Sequence, residues 1–298
     1  MLTIFGKIIA FICSILITIC VSLDIPCYPM GQRIDMDKFV STFEDDFEGE
    51  LDRSVWSGHY QWGTTTEARK GSYWNQYLAY TQDGSLVIPV TYLEEGMGGK
   101  GAGWYSAGID TDTDSPNHFS QKFGYFECRC ILPKGADIWS AFWLMNDGVY
   151  EVGNDGRDGT EIDIFESDCY GDFLPNSVTS NLHFDGYNEA HQKHGATKFL
   201  LKNNPYEEFN TYGLEWNENE YIFYINGVET RRTSFGNGVS EVAEDVIVSL
   251  ELPDIDILNE LDKETYKTTF TVDYVRIYQQ KDMGSVLKYA YDETNYAQ

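Results

Sequence analysis

The sequence predicts an all-β domain, in the form of a sandwich or a barrel. Short runs of aromatic and β-branched residues recur along the chain, and turn-forming residues separate them. Stretches with the 3.6-residue periodicity of a helix are nearly absent. The chain has 298 residues, of which 42% are hydrophobic, and it contains no repeat and no linker-like segment. These features favour one large domain around a single core.

Eight segments have the composition of strands, and two dipeptides have the composition of tight hairpin turns. The dipeptides are Asp83-Gly84 and Asn226-Gly227. Residues 188–201 are the one stretch with an ambiguous helical pattern, and residues 146–160 form a loop rich in Gly, Asp and Asn. The predicted strands are 85–90, 123–132, 140–145, 160–165, 212–216, 221–225, 246–252 and 268–278.

Residues 1–22 have the composition of a secretory signal peptide. A single charge, Lys7, precedes the apolar run 8–21, and Cys20-Val21-Ser22 supplies small residues for cleavage. The run is short for a membrane span, and an uncleaved signal anchor is the alternative. We therefore expect a secreted, extracellular protein with its folded domain over 23–280 and a loosely held polar tail over 281–298.

The composition also narrows the class of partner. A net charge of −27 argues against nucleic acid and anionic membranes, and fits a soluble monomer that acts on a neutral or cationic ligand. Four cysteines remain after removal of the signal, which is too few for a disulfide framework, and their pairing cannot be derived from the sequence. They are Cys27, Cys128, Cys130 and Cys169.

The run 159–168 carries three carboxylates in six residues, at Glu161, Asp163 and Glu166, between apolar residues. Alternation with a period of two predicts a strand, on which Glu161 and Asp163 share a face. One extra residue in a β-bulge at 164–165 would return Glu166 to that face. On a concave strand the outer carboxyls then approach to about 5–5.5 Å, the separation used by retaining glycosidases. The alternative is a solvated acidic strand edge.

Two further strands are predicted to share this acidic surface. Glu127 and Arg129 fall on one face of the first strand, and Trp139 and Trp143 fall on one face of the second. An indole stacks on the apolar face of a pyranose, while carboxylates and guanidinium groups bond its hydroxyls. The combination is typical of a sugar-binding cleft, and burial of both Trp residues in the core is the alternative.

These segments, in this order, resemble glycoside hydrolase family 16 over nearly the whole chain that follows the signal. The resemblance implies a jelly-roll β-sandwich of two curved antiparallel sheets, concanavalin A-like, with a substrate cleft across the concave sheet. The Glu-x-Asp-x-x-Glu form, with its extra residue, resembles the laminarinase-like (endo-β-1,3-glucanase) side of the family. The matching stretches are 43–56, 83–90, 122–145, 159–167, 209–227 and 269–278.

The resemblance also implies roles for individual residues of a catalytic domain over 23–280. Glu161 matches the nucleophile, Glu166 the general acid/base, and Asp163 the helper acid between them. Some members of the family hold a structural Ca²⁺, for which Asp273 and Gly84 are the corresponding positions. The implied substrate contacts are Trp139, Trp143, Glu127, Arg129, His183, Trp216 and Asn75.

The expected function is endo-acting hydrolysis of a β-linked polysaccharide with retention of configuration and no required cofactor. β-1,3-Glucan is the first expected substrate, and mixed-linked glucan and galactans are alternatives. A transglycosylase shares the first chemical step, and a non-catalytic carbohydrate-binding module shares the sandwich and the aromatic residues. A metal-dependent hydrolase that uses His183, Asp185, His191 and His194 lacks a tight ligand spacing.

Overall fold

The computed structural model describes residues 4–57, 72–112, 116–195, 197–234 and 238–283. Its helices are α1 (Ile4–Ser22) and α2 (Ile255–Leu258), with 3₁₀ turns at Met36–Lys38, Gln76–Leu78, Asp147–Tyr150, Asn154–Gly156 and Lys281–Met283. The first nine strands are β1 (Phe39–Asp45), β2 (Ser72–Trp74), β3 (Tyr80–Gln82), β4 (Ser85–Leu93), β5 (Gly103–Ser106), β6 (Gly108–Asp110), β7 (Ser120–Gln121), β8 (Gly124–Ile131) and β9 (Trp139–Met145). The others are β10 (Glu161–Ser167), β11 (Ser177–Phe184), β12 (Gln192–Gly195), β13 (Phe199–Leu200), β14 (Asn210–Trp216), β15 (Tyr221–Ile225), β16 (Val228–Thr233), β17 (Glu244–Glu251) and β18 (Thr268–Gln280).

The described strands form two sheets. The ten-stranded sheet has the order β16-β15-β14-β8-β18-β4-β5-β2, with β1 beside β18 and β3 beside β4. The eight-stranded sheet has the order β12-β11-β10-β9-β17-β6, with β13 beside β11 and β7 beside β17. Neighbouring strands are antiparallel, apart from the parallel pair β2 and β5. This arrangement confirms the predicted all-β sandwich of two antiparallel sheets.

The hydrophobic core lies between the two sheets, and the alternation of side chains along each strand explains it. Phe126 and Cys128 on β8 are buried in the same apolar cluster as Ile162 and Phe165 on β10. The residues between them on each strand point to the opposite face of their own sheet. The polar face of β10 is therefore turned away from the core and is available to form a site.

The eight strands predicted from composition are all present, as β4, β8, β9, β10, β14, β15, β17 and β18, with ends that differ by at most three residues. Both predicted hairpin turns are confirmed. Asp83 and Gly84 have φ of 52° and 70°, and Asn226 and Gly227 have φ of 51° and 69°. Positive φ at both central residues matches the twist of the flanking strands, and Gly and Asn adopt it at low cost. The ambiguous stretch 188–201 contains the short strands β12 and β13, and its described residues, which leave out 196, form no helix.

Both ends of the chain can be compared with the predicted limits of the signal peptide, 1–22, and of the polar tail, 281–298. Residues Ile4–Ser22 form a helix, and among the described residues no helix combines the length and the apolar character needed to cross a membrane. The predicted signal peptide stays a prediction. Of the predicted tail, residues 281–283 form a 3₁₀ turn and residues 284–298 lie outside the described ranges. All six cysteines are free thiols.

Candidate active site

The acidic strand β10 contains the predicted bulge. Against β11, Asp163 is opposite Asn181 and Glu166 is opposite Thr179, so three steps on β10 match two on its neighbour. Against β9 the same irregularity lies between Asp163 and Phe165. The extra residue brings the side chain of Glu166 to the same face as those of Glu161 and Asp163. The prediction of a bulge between Asp163 and Glu166 is confirmed.

All three carboxylates line a cleft of about 700 Å³ on the outer face of the eight-stranded sheet. Strands β9, β10, β11 and β17 supply most of the lining, because alternate side chains of each strand point to this face. On β17, Ser249 is opposite Ala141 and Glu251 is opposite Trp139. The lining residues are Trp139, Ala141, Trp143, Tyr150, Glu161, Asp163, Glu166, Asn181, His183, Tyr187, Lys193, His194, Gly195, Ser249 and Glu251.

Each member of the acidic set has a polar neighbour from outside β10. The Tyr187 hydroxyl donates a hydrogen bond to Glu161, and the Asn181 amide donates one to Glu166. His183 Nε2 lies 3.6 Å from Asp163 Oδ2. Hydrogen bonds to a carboxylate favour its charged form and hold its orientation. The two outer carboxylates are therefore oriented by donors from outside β10.

The three carboxylates shift one another's titration. Burial raises the pKa of Glu161 to about 7, and the bond from Tyr187 opposes that rise. Burial likewise raises the pKa of Glu166 to about 7, against the bond from Asn181. Burial and the charges of Glu166 and Glu161 hold the pKa of Asp163 well above its usual range. The set therefore binds protons near neutral pH and contains both an acid and a base.

These pKa values do not assign the two roles, because Glu161 and Glu166 have the same value. The nucleophile must be ionised and the general acid must be protonated, so the two carboxyls together must carry one proton. Two coupled carboxylates with values near neutrality meet that need. Which of them carries the proton follows from the order along the strand that the resemblance implies, and remains a prediction.

The two predicted cleft Trp residues differ in exposure. Trp139 is half-buried at the rim and bonds Glu166 through its side chain. Trp143 is 7% exposed and forms the floor, where its Nε1 donates to Ser249 Oγ at 3.1 Å. It packs with Trp74 and Met145 in a small apolar cluster under the cleft. Trp139 is therefore the indole with more surface to offer to a ligand.

The predicted polar wall of Glu127 and Arg129 is wrong. Both residues lie on β8, which belongs to the ten-stranded sheet, so the whole core separates them from the cleft. Glu127 accepts bonds from the Tyr125 and Tyr274 hydroxyls on the outer face of that sheet. The alternation along β8 matches that along β9, and the alternation alone does not tell which sheet a strand joins.

Two other predicted contacts lie outside the cleft lining. Trp216 has no exposed surface and packs in the core, with Phe123 at 5.3 Å between ring centroids. Asn75 is buried, and its side chain accepts a bond from the Tyr77 backbone at the start of a 3₁₀ turn. Trp216 is thus a core residue and Asn75 is a cap. His183 does line the cleft, as expected.

The predicted calcium positions do not fit that ion. The Asp273 carboxylate forms an ion pair with the Arg129 guanidinium, which neutralises its charge. Gly84 lies in the tight turn beside Glu48, and in the described ranges neither residue belongs to a cluster of three or more His, Cys, Asp or Glu side chains. Calcium needs six to eight oxygen ligands, several of them charged. The residues present at Asp273 and Gly84 do not supply such a set.

Several cleft residues were not predicted from the sequence. Asn181 lies two positions before His183 on β11, so the same alternation could have identified it. Glu251 also follows from alternation, once β17 is known to lie beside β9. Tyr187 lies on the loop after β11, where no periodic pattern exists. No signal in the sequence points to it.

The position of Tyr187 comes from a pair of loops that hold each other. Asp185 and Gly186 have φ of 60° and 72°, so the chain turns sharply after β11. The Gly186 N–H donates to the Val149 carbonyl at 2.7 Å, and the Gly153 N–H donates to Asp185 Oδ1 at 3.0 Å. The Tyr187 ring then packs against Tyr150, with 5.6 Å between centroids. These contacts direct the Tyr187 hydroxyl to Glu161.

The chain has relatives among curated proteins. It is 25% identical over 266 residues to the clotting factor G alpha subunit of Tachypleus tridentatus, an alignment that covers 86% of this chain and 35% of that relative. The chain therefore spans well under half the length of this relative. It is 27% identical over 224 residues to a glucan endo-1,3-beta-glucosidase of Cryptopygus antarcticus, covering 67% of this chain and 73% of that relative.

The fold also has solved counterparts. The catalytic domain of an endo-1,3-beta-glucanase (laminarinase) from Thermotoga petrophila superposes with a TM-score of 0.61 at 22% identity. The match covers 82% of this chain and 98% of that domain, and at this identity it shows the jelly-roll fold. The family model described as the GH16 domain of β-porphyranases A–D matches residues 38–280. Because this match covers most of the chain, including the bulged acidic strand, the chain belongs to glycoside hydrolase family 16.

Proposed function

We propose that this family 16 endo-β-glycosidase hydrolyses β-1,3-glucan with retention of configuration and is secreted. The observation that carries the mechanism is the bulge in β10, which puts Glu161 and Glu166 on one face of one strand. Carboxylates on one face of one bulged strand can close to about 5–5.5 Å, a separation that leaves no room for a water molecule between them and the sugar. One of them must then attack the sugar directly, which gives a double displacement.

The proposed reaction uses the two carboxylates in turn. Glu161, ionised, attacks the anomeric carbon while Glu166 gives its proton to the leaving glycosidic oxygen, so that the glycosidic bond breaks as the glycosyl–enzyme bond forms. Glu166, now ionised, takes a proton from water, and the resulting hydroxide displaces Glu161. Both groups return to their first state. Asp163, between them, shares a hydrogen bond with Glu166 and interacts with the charges of both outer carboxylates.

The charge of the cleft supports an uncharged substrate. Four carboxylates line it, and among the described lining residues Lys193 is the one lysine or arginine. A sulfated polymer would meet mostly negative charge there, whereas a glucan needs hydrogen bonds and an aromatic platform. Trp139 supplies the platform. The relative from Cryptopygus antarcticus, named as a glucan endo-1,3-beta-glucosidase, supports the same choice.

A β-linked galactan is the second candidate. The matching family model describes β-porphyranases, whose name refers to a galactan, and it covers residues 38–280. The charge argument favours an unsulfated galactan over a sulfated one within this class.

Secretion is supported by the composition of residues 1–22. They hold one charged residue and an apolar run, and they precede the domain that the family model covers from residue 38.

The test of this proposal follows new reducing ends by proton NMR during digestion of laminarin, with agarose and porphyran as parallel substrates. Two displacements leave the anomeric configuration unchanged, so the β-anomer should appear first and the α-anomer only later by mutarotation. An α-anomer as first product requires carboxyls about 6.5–9.5 Å apart and would rule out Glu161 as nucleophile. Faster release from agarose or porphyran than from laminarin would replace β-1,3-glucan by the galactan, and transfer to added oligosaccharide in place of water would identify a transglycosylase.

Replacing Tyr187 by phenylalanine is expected to slow the reaction and change its pH profile. The Tyr187 hydroxyl bonds Glu161 and lowers the pKa of that carboxyl. Without it the pKa of Glu161 rises, so the acid limb of kcat/KM should move to higher pH. Loss of one bond to a charged group costs about 1.5–3 kcal/mol, or roughly 10–100-fold in rate if the bond persists in the transition state.

The matched control is Tyr150→Phe, because Tyr150 packs against the Tyr187 ring at the same end of the cleft. It should leave the acid limb in place. If the acid limb of kcat/KM shifts equally in both variants, the two hydroxyls act only through the polarity of the cleft. The hydrogen bond from Tyr187 to Glu161 would then have no specific effect.

A further inference from the structure

Two carboxylates and an imidazole point at one small volume in the cleft. One ligand atom from each of Glu161, Asp163 and His183 lies within 4.8 Å of the other two. His183 reaches this volume because it lies opposite Glu161 in the pairing of β11 with β10. Two carboxylates and an imidazole are a ligand set that Zn²⁺ uses.

One of the three separations is close to the ligand spacing of a tetrahedral ion. With Zn–N and Zn–O bonds of about 2.0–2.1 Å, two ligand atoms of a tetrahedron lie about 3.3–3.4 Å apart. His183 Nε2 and Asp163 Oδ2 are 3.6 Å apart, which is too long for a hydrogen bond and close to that ligand spacing. The other two separations are at most 4.8 Å, so the side chains must close on the ion to bind it together.

A buried oxygen at this place lacks a partner. Asp163 is 3% exposed, and its Oδ2 has no hydrogen bond from any described residue. A buried carboxylate oxygen without a donor is costly, and a cation is one way to satisfy it. This oxygen points at His183 Nε2, so that a cation between the two would have both as ligands. The lack of a donor to Asp163 Oδ2 is an observation separate from the clustering of the three ligand atoms, and it concerns the same volume.

A second histidine holds the first in place. His183 Nδ1 lies 2.9 Å from His191 Nε2, and the two rings are stacked with an interplanar angle of 13°. An outer partner of this kind fixes the orientation of a metal-bound imidazole.

We propose that Glu161, Asp163 and His183 form a binding site for Zn²⁺, with His191 as the residue that orients His183, and that the ion inhibits the enzyme. The ligands bind the ion in their deprotonated forms, so any proton that they hold leaves as H⁺. The ion then occupies the lone pairs of Glu161 that would attack the sugar. The inhibitory part rests on the proposed role of Glu161, whereas binding itself does not.

The binding test uses Co²⁺ as a spectroscopic probe, without any substrate. Wild-type protein titrated with Co²⁺ should develop the intense visible bands of a four-coordinate ion, and Zn²⁺ should remove them. His183→Asn should abolish the bands, and His191→Asn should weaken affinity by about 10–100-fold. His194→Asn is the matched control, since His194 lines the same cleft outside the three ligands and should bind Co²⁺ like the wild type.

Thermal melts of each variant separate loss of a ligand from loss of the fold, and Asp163→Asn serves as a second ligand variant if His183→Asn melts early. Bands that persist in His183→Asn, or weak six-coordinate bands in the wild type, would overturn the site. Such a result leaves the glycosidase proposal untouched.

The inhibition test compares hydrolysis with and without Zn²⁺. Inhibition should be complete at saturating Zn²⁺, reversed by EDTA, and lost in His183→Asn to the extent that this variant retains activity. EDTA alone should leave the wild-type rate unchanged. If EDTA abolishes activity, or if Co²⁺ binds with no loss of rate, the inhibitory role is wrong.

Discussion

Glu161→Ala is expected to lose nearly all hydrolysis of polysaccharide, because the first displacement has no nucleophile without this carboxylate. Azide should restore part of the activity. A small anion fits the space left by the side chain and attacks from the same side, which gives an α-linked glycosyl azide in a single displacement. The configuration of the azide product, read by NMR, therefore reports the side on which Glu161 acts.

Glu166→Ala is expected to behave differently. Loss of a general acid costs about 10²–10⁴-fold on a natural substrate, whose leaving oxygen needs the proton. Aryl glycosides with good leaving groups need no proton, so they should still form the glycosyl–enzyme. Azide then displaces Glu161 and gives the β-linked product, because two displacements have occurred.

The control for both variants is Glu251→Ala. Glu251 lies in the same cleft on β17, so its removal takes away one negative charge and leaves the β10 carboxylates intact. It should keep most of the activity. The reverse azide pattern would exchange the two roles, and full activity in both β10 variants would place the catalytic site elsewhere on the protein.

Trp216→Ala is expected to destabilise the fold strongly. Trp216 has no exposed surface, and its indole packs against Phe123, Phe126 and Tyr221 with centroid distances of 5.3, 6.1 and 6.1 Å. Truncation of a buried Trp removes that contact area and leaves a cavity, at a cost of about 3–5 kcal/mol in the free energy of unfolding. Denaturant unfolding measures this loss, and the KM of the folded protein should be unchanged.

Trp139→Ala is the matched comparison, since the same side chain is removed from the rim of the cleft. It should raise KM on polymer by an amount that reflects about 1–3 kcal/mol of lost contact, with little change in unfolding. Should Trp216→Ala raise KM without loss of stability, then Trp216 contacts substrate and its assignment to the core is wrong.

The strands, the hairpin turns and the bulge of this protein can be predicted from the sequence alone. Runs of β-branched and aromatic residues identified the principal strands, and two Gly-containing dipeptides identified hairpins, because strand and turn preferences depend on neighbouring residues. The spacing of Glu161, Asp163 and Glu166 predicted the bulge, since only an extra residue puts all three on one face. The catalytic candidates could therefore be named before any tertiary contact was known.

Only the tertiary contacts fix which sheet a strand joins, and whether a given side chain faces the core or the cleft. Glu127 and Trp139 show the same alternation in the sequence, yet their strands belong to different sheets, and Trp216 faces the core. Sheet membership depends on hydrogen bonds between residues far apart in the chain, which a pattern of period two does not contain. Tyr187 reaches Glu161 through two loops that bind each other, and His191 reaches His183 from the loop that joins β11 to β12. Such contacts follow from the closure of loops in space, so they exist only once the sheet has formed.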